Sequence, residues 1–224
     1  MPGNAYNFGI QPAPWHPGVE HVAVTPKGRI RIEMEDTYRS AVAAGRVRVI
    51  VLRAGDFIDD DPEGTWLGDG ILRKLASNRI NYPGPFDVPH AWAYLPDLGR
   101  AASMLAEKRA ELPPFTDIAF PGYTLTGREL SDAIAHVTGR EPMLSRMSWW
   151  PLRMLAPFWS LAAGMVEMRY LWRHPHCFDA AAFEAELPDF EHTPVEVALS
   201  PLIGRLTNKS AHVHGNLIST QTSL

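Results

Sequence analysis

Val47-Arg48-Val49-Ile50-Val51-Leu52-Arg53-Ala54-Gly55-Asp56-Phe57 is the stretch whose reading decides the fold. It is rich in β-branched residues and closes on a small-residue turn, and a helix-period segment precedes it. That combination predicts a strand over 47–53 buried on both faces of a parallel sheet. Ligands of such sheets bind beyond the carboxyl ends of the strands, so Arg53, Ala54, Gly55, Asp56 and Phe57 mark a candidate site.

Working upstream, Ile30, Met34, Tyr38 and Val42 recur every four residues and predict a helix over 29–45 with one apolar stripe. Glu35 and Arg39 can pair on its wet side. Gly45 is a suitable stop before the strand. Helix, glycine and apolar strand make one αβ unit of a doubly wound sheet. Residues 1–9 carry small and aromatic groups into a Gly9 turn, as at a strand end. Residues 10–28 hold Pro12, Pro14, Pro17 and Pro26 and predict a loop over the sheet edge. No strand, glycine-rich turn and helix of the phosphate-cradling kind stands anywhere in the sequence. Met1 is therefore expected to fall partway through the sheet, in a truncated domain.

Downstream, an acidic, glycine-bearing loop (Asp59 to Gly70) leads into a short helix with Ile71, Leu72 and Leu75 inward. Ala91 to Leu95 reads as a short extended segment, and Asp97 as the cap of a helix from Leu98 to about Glu111. Asp117 to Phe120 is a further short strand. Thr126-Gly127-Arg128-Glu129 is a capping box opening a helix to Val137, with Gly139 just past its end. Thr193-Pro194-Val195-Glu196 opens another short helix. From Asn208 the chain is polar and without period, and a loose tail over 208–224 is expected.

The totals are ordinary for a globular domain: 224 residues, 46% hydrophobic, 21% charged, formal net charge −4. A mild acidic balance gives no support to nucleic acid or an anionic membrane as the main partner. Cys177 is the only cysteine, so no intrachain disulfide forms, which fits a reducing cytoplasm. The start, Met1-Pro2-Gly3-Asn4, reads as neither a basic leader nor an apolar signal core. Met147 to Trp172 is the most membrane-like stretch. Pro151, Arg153, Pro157, Glu167 and Arg169 interrupt it well short of the ~20 apolar residues of a spanning helix. A helical pair packed within the protein, or at a subunit contact, is the expected form, and an aromatic, cationic surface would also suit peripheral membrane contact.

Four segments in order resemble the extended short-chain dehydrogenase/reductases, the NAD-dependent epimerase/dehydratase family. Gly3-Asn4-Ala5-Tyr6-Asn7-Phe8-Gly9 is similar to the strand end that bears a catalytic serine or threonine before an aromatic-glycine pair. Helix 29–45 with strand 47–53 is similar to the next αβ unit. His90 to Leu98 resembles the strand leading into a helix, and Leu125-Thr126-Gly127-Arg128-Glu129-Leu130 the opening of a substrate-lobe helix. The likeness covers most of residues 1–140. It implies an α/β fold: an incomplete doubly wound, Rossmann-like parallel sheet over 1–121, a mainly helical substrate lobe over 122–207, and NAD or NADP as cofactor. It also implies a sugar nucleotide or small carbonyl as substrate, and it is compatible with a homodimer.

Against the family pattern, the Tyr-x-x-x-Lys pair falls on Lys27-x-x-x-Arg31, and the serine position on Asn4. The family's lysine lowers the tyrosine pKa so that the phenol exchanges a proton. Here Asn4 could donate to a substrate carbonyl, or serve the turn, and Tyr6 could act as an alternative acid, or pack in the core. Lys27 and Arg31 could hold ribose hydroxyls or a phosphate, or be solvated. Arg53, Ala54, Gly55 and Asp56 lie where the nicotinamide would sit, unless Arg53 and Asp56 form a salt bridge that closes the loop. Phe57 reads as a wall of the substrate pocket, and His90 and Tyr94 as substrate-side or structural residues. His174-Pro175-His176-Cys177 lacks a fourth ligand for a closed zinc site, and His212-x-His214 does no better. The leading expectation is an atypical oxidoreductase of doubtful activity alone. A non-catalytic ligand-binding or regulatory protein is the alternative. A fragment with an exposed sheet edge is the third.

Overall fold

The computed structural model describes residues 1–219, with side chains through Thr207. The chain runs through β1 (Pro2–Asn4), α1 (Pro26–Ala43), β2 (Val49–Ala54), β3 (Asp56–Ile58), β4 (Arg79–Tyr82), β5 (His90–Tyr94) and α2 (Leu95–Glu107). It continues through β6 (Phe115–Ala119), β7 (Tyr123–Leu125), α3 (Gly127–Thr138), β8 (Met143–Arg146), α4 (Trp150–Leu155), α5 (Ser160–Glu167), α6 (Ala181–Glu186) and α7 (Val195–Ser219). The first sheet has the order β1-β2-β6 and is parallel throughout, with Leu52 facing both Pro2 and Ile118. The strand read as central is indeed flanked on both sides, and Val51 and Arg53 are fully buried. It begins at Val49 rather than Val47, which is 44% exposed. The ladder starts where the Val49 amide reaches Pro114 O, while Arg48 turns aside to the carbonyls of Arg109 and Leu112.

At Gly55 the chain leaves this sheet for a second one, ordered β3-β5-β7, in which β3 and β5 are parallel and β7 antiparallel. The crossing needs glycine because a Cβ there would meet the Ala91 carbonyl oxygen at 2.2 Å. A third, two-stranded sheet pairs β4 with β8 in parallel. Ile71, Leu72 and Leu75 point inward as expected and join Trp92, Trp172 and Leu199 in one hydrophobic core. Thr126 and Glu129 form the predicted capping box, and Gly139 ends α3 in the left-handed region. The proline-rich loop is held down through Trp15, whose amide donates to Cys177 O and whose ring stacks on Phe8.

Three local expectations fail for identifiable reasons. The apolar stripe of α1 is not the buried face: Ile30 (62%) and Tyr38 (39%) are exposed, Met34 and Val42 are half-buried, and the helix buries Gly28 and Glu35 instead. Glu35 is turned inward because Arg53 lies buried beneath it, and an unpaired buried guanidinium costs more than an exposed isoleucine gains. Arg39 accordingly pairs not with Glu35 but, at 3.9 Å, with Asp117. Asp97 does not cap α2, which begins two residues earlier at Leu95. Its carboxylate instead accepts from the Thr193 amide and hydroxyl, tying α2 to the approach to α7. The helix opened at Thr193 is not short: α7 runs to Ser219 across the onset of the expected tail. Residues 220–224 of that tail, and the side chains of His212 and His214, lie outside the described residues.

The segment 147–172 forms the expected helical pair and packs by one face, burying Trp149, Ala162, Met168, Leu171 and Trp172, while its other face is open. Trp150, Met154, Leu155, Phe158, Trp159 and Leu161 are all exposed. Among the described residues no helix is long and apolar enough to cross a membrane.

Candidate functional site

The carboxyl ends of β1 and β2 open into a cleft of about 200 Å³. Seven of the residues singled out from sequence meet there: Asn4, Tyr6, Arg31, Ala54, Gly55, Asp56 and Phe57. The topology explains this convergence, since β1 and β2 run parallel and in register, so Asn4 stands opposite Ala54. Asn4 Oδ1 accepts the Tyr6 amide at 2.8 Å, which turns the chain into the short helix Tyr6–Phe8. The asparagine carbonyl thus serves the turn, as the structural alternative had it. The Tyr6 phenol is driven well above its ordinary pKa by burial, and further by the nearby Asp56 charge. At neutral pH it holds its proton and is a hydrogen-bond donor, not a poised acid.

Asp56 is the one carboxylate that lines the cleft among the described residues. Its Oδ2 lies 2.8 Å from His90 Nε2, and the carboxylate keeps 18% side-chain exposure toward the cleft. His90 is 1% exposed, its ring lies flat on Trp172 with centroids 3.8 Å apart, and His176 meets it edge-on at 4.4 Å. An imidazole so clamped cannot rotate, so it fixes one oxygen of Asp56 and leaves the other free for a ligand. The alternative role expected for Asp56, a salt bridge with Arg53, is not made; its carboxylate hydrogen-bonds His90 instead. His90 itself stands behind the carboxylate and does not line the cleft. Its Nδ1 is buried without a hydrogen-bond partner.

Arg53 belongs to another network. It is fully buried, and its guanidinium donates to Glu35 Oε1 and Oε2 at 2.9 and 2.6 Å and to Asp117 Oδ1 and Oδ2 at 2.8 and 2.6 Å. Asn7 Nδ2 adds a bond to Glu35 at 2.9 Å. Four of its five N–H donors are used and the side chain is fully buried, so Arg53 is not presented to a ligand. Glu35, Asp117 and His21 converge as a metal-ligand set would. The guanidinium already fills the place of the cation.

Lys27 and Tyr94 are not at the cleft. The Lys27 amide donates at 2.8 Å to Glu167 Oε1, which fixes α5 against the start of α1. The Tyr94 hydroxyl donates to Asp60 Oδ1 at 2.9 Å, and burial with that bond pushes its pKa up to about 12. Leu171 and His176 line the cleft and were not singled out for it. His176 had been weighed only as a metal ligand. Its position follows from a stack on Trp15 at 5.1 Å, a contact between two loops that no sequence period announces. Burial, then the neighbouring His90, lowers its pKa to about 3, so it is neutral at ordinary pH.

The fit of a dinucleotide can be judged from the helix N-termini, where a pyrophosphate would be held. In α1, the Lys27 amide is taken by Glu167 and the Gly28 amide by Thr25 Oγ1. In α3, the Glu129 side chain closes the capping box, and the first turn of α2 carries Pro96, which has no N–H, and Asp97. The cleft takes a group the size of a nicotinamide or a sugar ring, and none of these three helices offers a seat for the phosphates. A larger cavity of about 570 Å³ between β1, β2 and α2 is lined by aliphatic residues such as Ile50, Leu52, Leu98 and Leu105. No acid–base side chain lines it.

No protein-family model matches the sequence, and no curated protein matches it. Solved structures do. MoeE5 in complex with UDP-glucose and NAD superposes with a TM-score of 0.70 at 15% identity, over 94% of this chain and 64% of that one. UDP-glucuronic acid 4-epimerase from Bacillus cereus, in complex with UDP-glucuronic acid and NAD, gives 0.70 at 8% identity over 92% and 60%. RMD from Pseudomonas aeruginosa complexed with NADPH gives 0.67 at 14% over 92% and 65%. The chain therefore shares the Rossmann-like α/β fold of these structures, as the sequence resemblance implied. It spans less than two thirds of the length of each of these three.

Proposed function

We propose that this chain is the substrate side of an atypical NAD(P)-dependent epimerase/dehydratase-like oxidoreductase, acting on a sugar nucleotide or small carbonyl compound. The reading rests chiefly on Asp56, held by His90 at the carboxyl ends of parallel strands and exposed to a ring-sized cleft. A bound sugar would place hydroxyls against Asp56, Asn4 and Arg31. Asp56 would accept the proton of a substrate hydroxyl while His90 keeps the carboxylate oriented. Tyr6 would donate a hydrogen bond without giving up its proton. Leu171 and Phe57 would exclude water from the ring's edges. NAD or NADP is the cofactor that the neighbours' titles bring to this reading. The cleft admits its nicotinamide ring, and the occupied helix N-termini offer its pyrophosphate no seat, so turnover by this chain alone is not expected. A reducing cytoplasm is the compartment this reading assumes.

A second reading, a non-catalytic ligand-binding protein, is favoured by one observation: the Tyr-x-x-x-Lys spacing is filled by Lys27 and Arg31. Calorimetric titration with UDP-glucose, and separately with nicotinamide mononucleotide, discriminates. The oxidoreductase reading expects both to bind, competitively or together, and Asp56→Asn to weaken the sugar nucleotide at least about tenfold, the worth of a charge-assisted bond. Binding of the sugar nucleotide alone, indifferent to Asp56→Asn, supports the sensor. Absence of binding by either compound overturns both.

A further inference from the structure

We propose that the α4–α5 hairpin is a docking surface for an anionic lipid bilayer. Within twelve residues it exposes Trp150 (70%), Met154 (59%), Leu155 (46%), Phe158 (90%), Trp159 (47%) and Leu161 (58%). Solvent-facing aromatic and aliphatic groups at this density are not what a surface helix carries for solubility. The turn between the helices is tight, with the Phe158 and Trp159 amides both donating to Leu155 O at 2.9 Å. That turn projects Phe158 as the most exposed large apolar side chain of the described residues.

Charge selects the occupant. The protein is acidic overall, at −4, yet no Asp or Glu occurs between Pro142 and Val166. Arg146 and Arg153 flank or ride on the hairpin, and both are exposed. The chain then continues from α5 straight into a turn of helix, Met168–Arg173, that adds Arg169 and Arg173. Arg169, Tyr170, Arg173 and His174 line a recess of about 510 Å³, and Arg169 reaches back to stack over Trp149 at the start of α4. Among the described residues none of these four arginines has a carboxylate within salt-bridge distance. Arg169 Nε and the Tyr170 hydroxyl are buried without any hydrogen-bond partner. Apolar side chains at a projecting turn, tryptophans at its shoulders and unpaired arginines behind them suit insertion at the headgroup–acyl boundary.

The hairpin is short and leaves the core intact when it inserts. Its base is fixed by Glu167, which holds the Lys27 amide at 2.8 Å, so docking would orient the nearby cleft relative to the membrane. A protein partner would be expected to answer the arginines with carboxylates at defined positions. A second copy of this chain in a two-fold contact would set this surface against its identical twin, arginine against arginine.

Co-sedimentation of the full chain with vesicles of phosphatidylcholine alone, and with 30 mol% phosphatidylglycerol as a chosen composition (about a third anionic lipid), tests this. Binding is expected only with the anionic lipid, and each neutralised arginine (Arg153→Gln, Arg173→Gln) should weaken it about fivefold. Phe158→Ser with Trp159→Ser should weaken it at least about tenfold. Brominated lipid should quench wild-type tryptophan fluorescence, a readout that needs no variant. Equal binding to neutral vesicles, no binding to either, or no quenching would overturn the proposal. So would dimerisation without lipid that Phe158→Ser abolishes, because the hairpin would then be a subunit contact.

Discussion

Replacing Arg53 by methionine removes one cation and leaves two carboxylates facing each other in the interior. Glu35 and Asp117 are only 2% and 7% exposed at their side chains, and the four short bonds from the guanidinium are what neutralises them. Breaking a buried ion pair from one side costs about 3–5 kcal/mol, because the abandoned charge has neither partner nor water. Asp117 keeps Arg39 at 3.9 Å and Glu35 keeps the bond from Asn7, so the middle of that range is expected. A domain of this kind has about 5–15 kcal/mol in total, so the variant should remain folded but marginal. With a urea m-value of about 2 kcal/mol/M, the unfolding midpoint should fall by about 2 M. The triple variant Arg53→Met, Glu35→Leu, Asp117→Leu should recover most of the loss, since a buried ion cluster and a packed apolar one are often close in stability. A midpoint shift of less than about 0.5 M for Arg53→Met, equivalent to about 1 kcal/mol, would refute the reasoning by showing that the carboxylates keep access to water.

Three further outcomes follow from particular contacts. The His176 imidazole has its folded pKa lowered from 6.5 to about 3 by burial and by His90. The unfolded chain therefore takes up a proton that the folded one refuses, and stability should fall as pH drops through 6.5 toward about 3. His176→Phe, which keeps a ring against Trp15, should flatten that slope in urea unfolding measured across the range. For Asp97, burial alone would raise the pKa, but the bonds from Thr193 and Arg100 outweigh it and hold the carboxyl below 3.8. Its contribution is present above pH 3.8 and lost as the pH falls through the lowered folded value, so Asp97→Asn should be less acid-sensitive than wild type over that window. Gly55→Ala puts a methyl 2.2 Å from the Ala91 carbonyl oxygen, where neither strand can yield freely. A loss of about 1–3 kcal/mol is expected, read as a lower thermal midpoint.

Much of the fold is legible because local rules and tertiary demands agree. The strand Val49–Ala54 has no competing reading: its β-branched run satisfies a doubly flanked position, and Gly55 satisfies the only backbone that passes Ala91. The Thr126–Glu129 box needs nothing beyond four residues to be recognised, and it formed as read. Reading fails where one long-range charge overrides a period. The spacing of Ile30, Met34, Tyr38 and Val42 promises a buried stripe, but nothing local in α1 reveals that Arg53, eighteen residues beyond Glu35, needs a carboxylate. Asp97 fails similarly, because Thr193 lies 96 residues away. At the cleft, strand-end residues could be found from topology alone. His176 could not, since its place depends on a stack between two irregular segments.

The same long-range charges narrow what the cleft accepts. Had Arg53 pointed outward, the strand ends would have presented two cations and suited a diphosphate. With Arg53 spent on Glu35 and Asp117, and the Lys27 ammonium lying beside Gly164, Arg31 is the one cation lining the cleft among the described residues. Opposite it stands the carboxylate of Asp56. A phosphate brought to within about 4 Å of that carboxylate would meet a repulsion of about 4 kcal/mol at a protein-like dielectric, which Arg31 could at best cancel. A neutral ring with hydroxyls meets no such opposition: it can donate to Asp56 and accept from Arg31 and Tyr6 at once. The cleft is therefore matched to the sugar or carbonyl end of its ligand, and any phosphates must lie outside it.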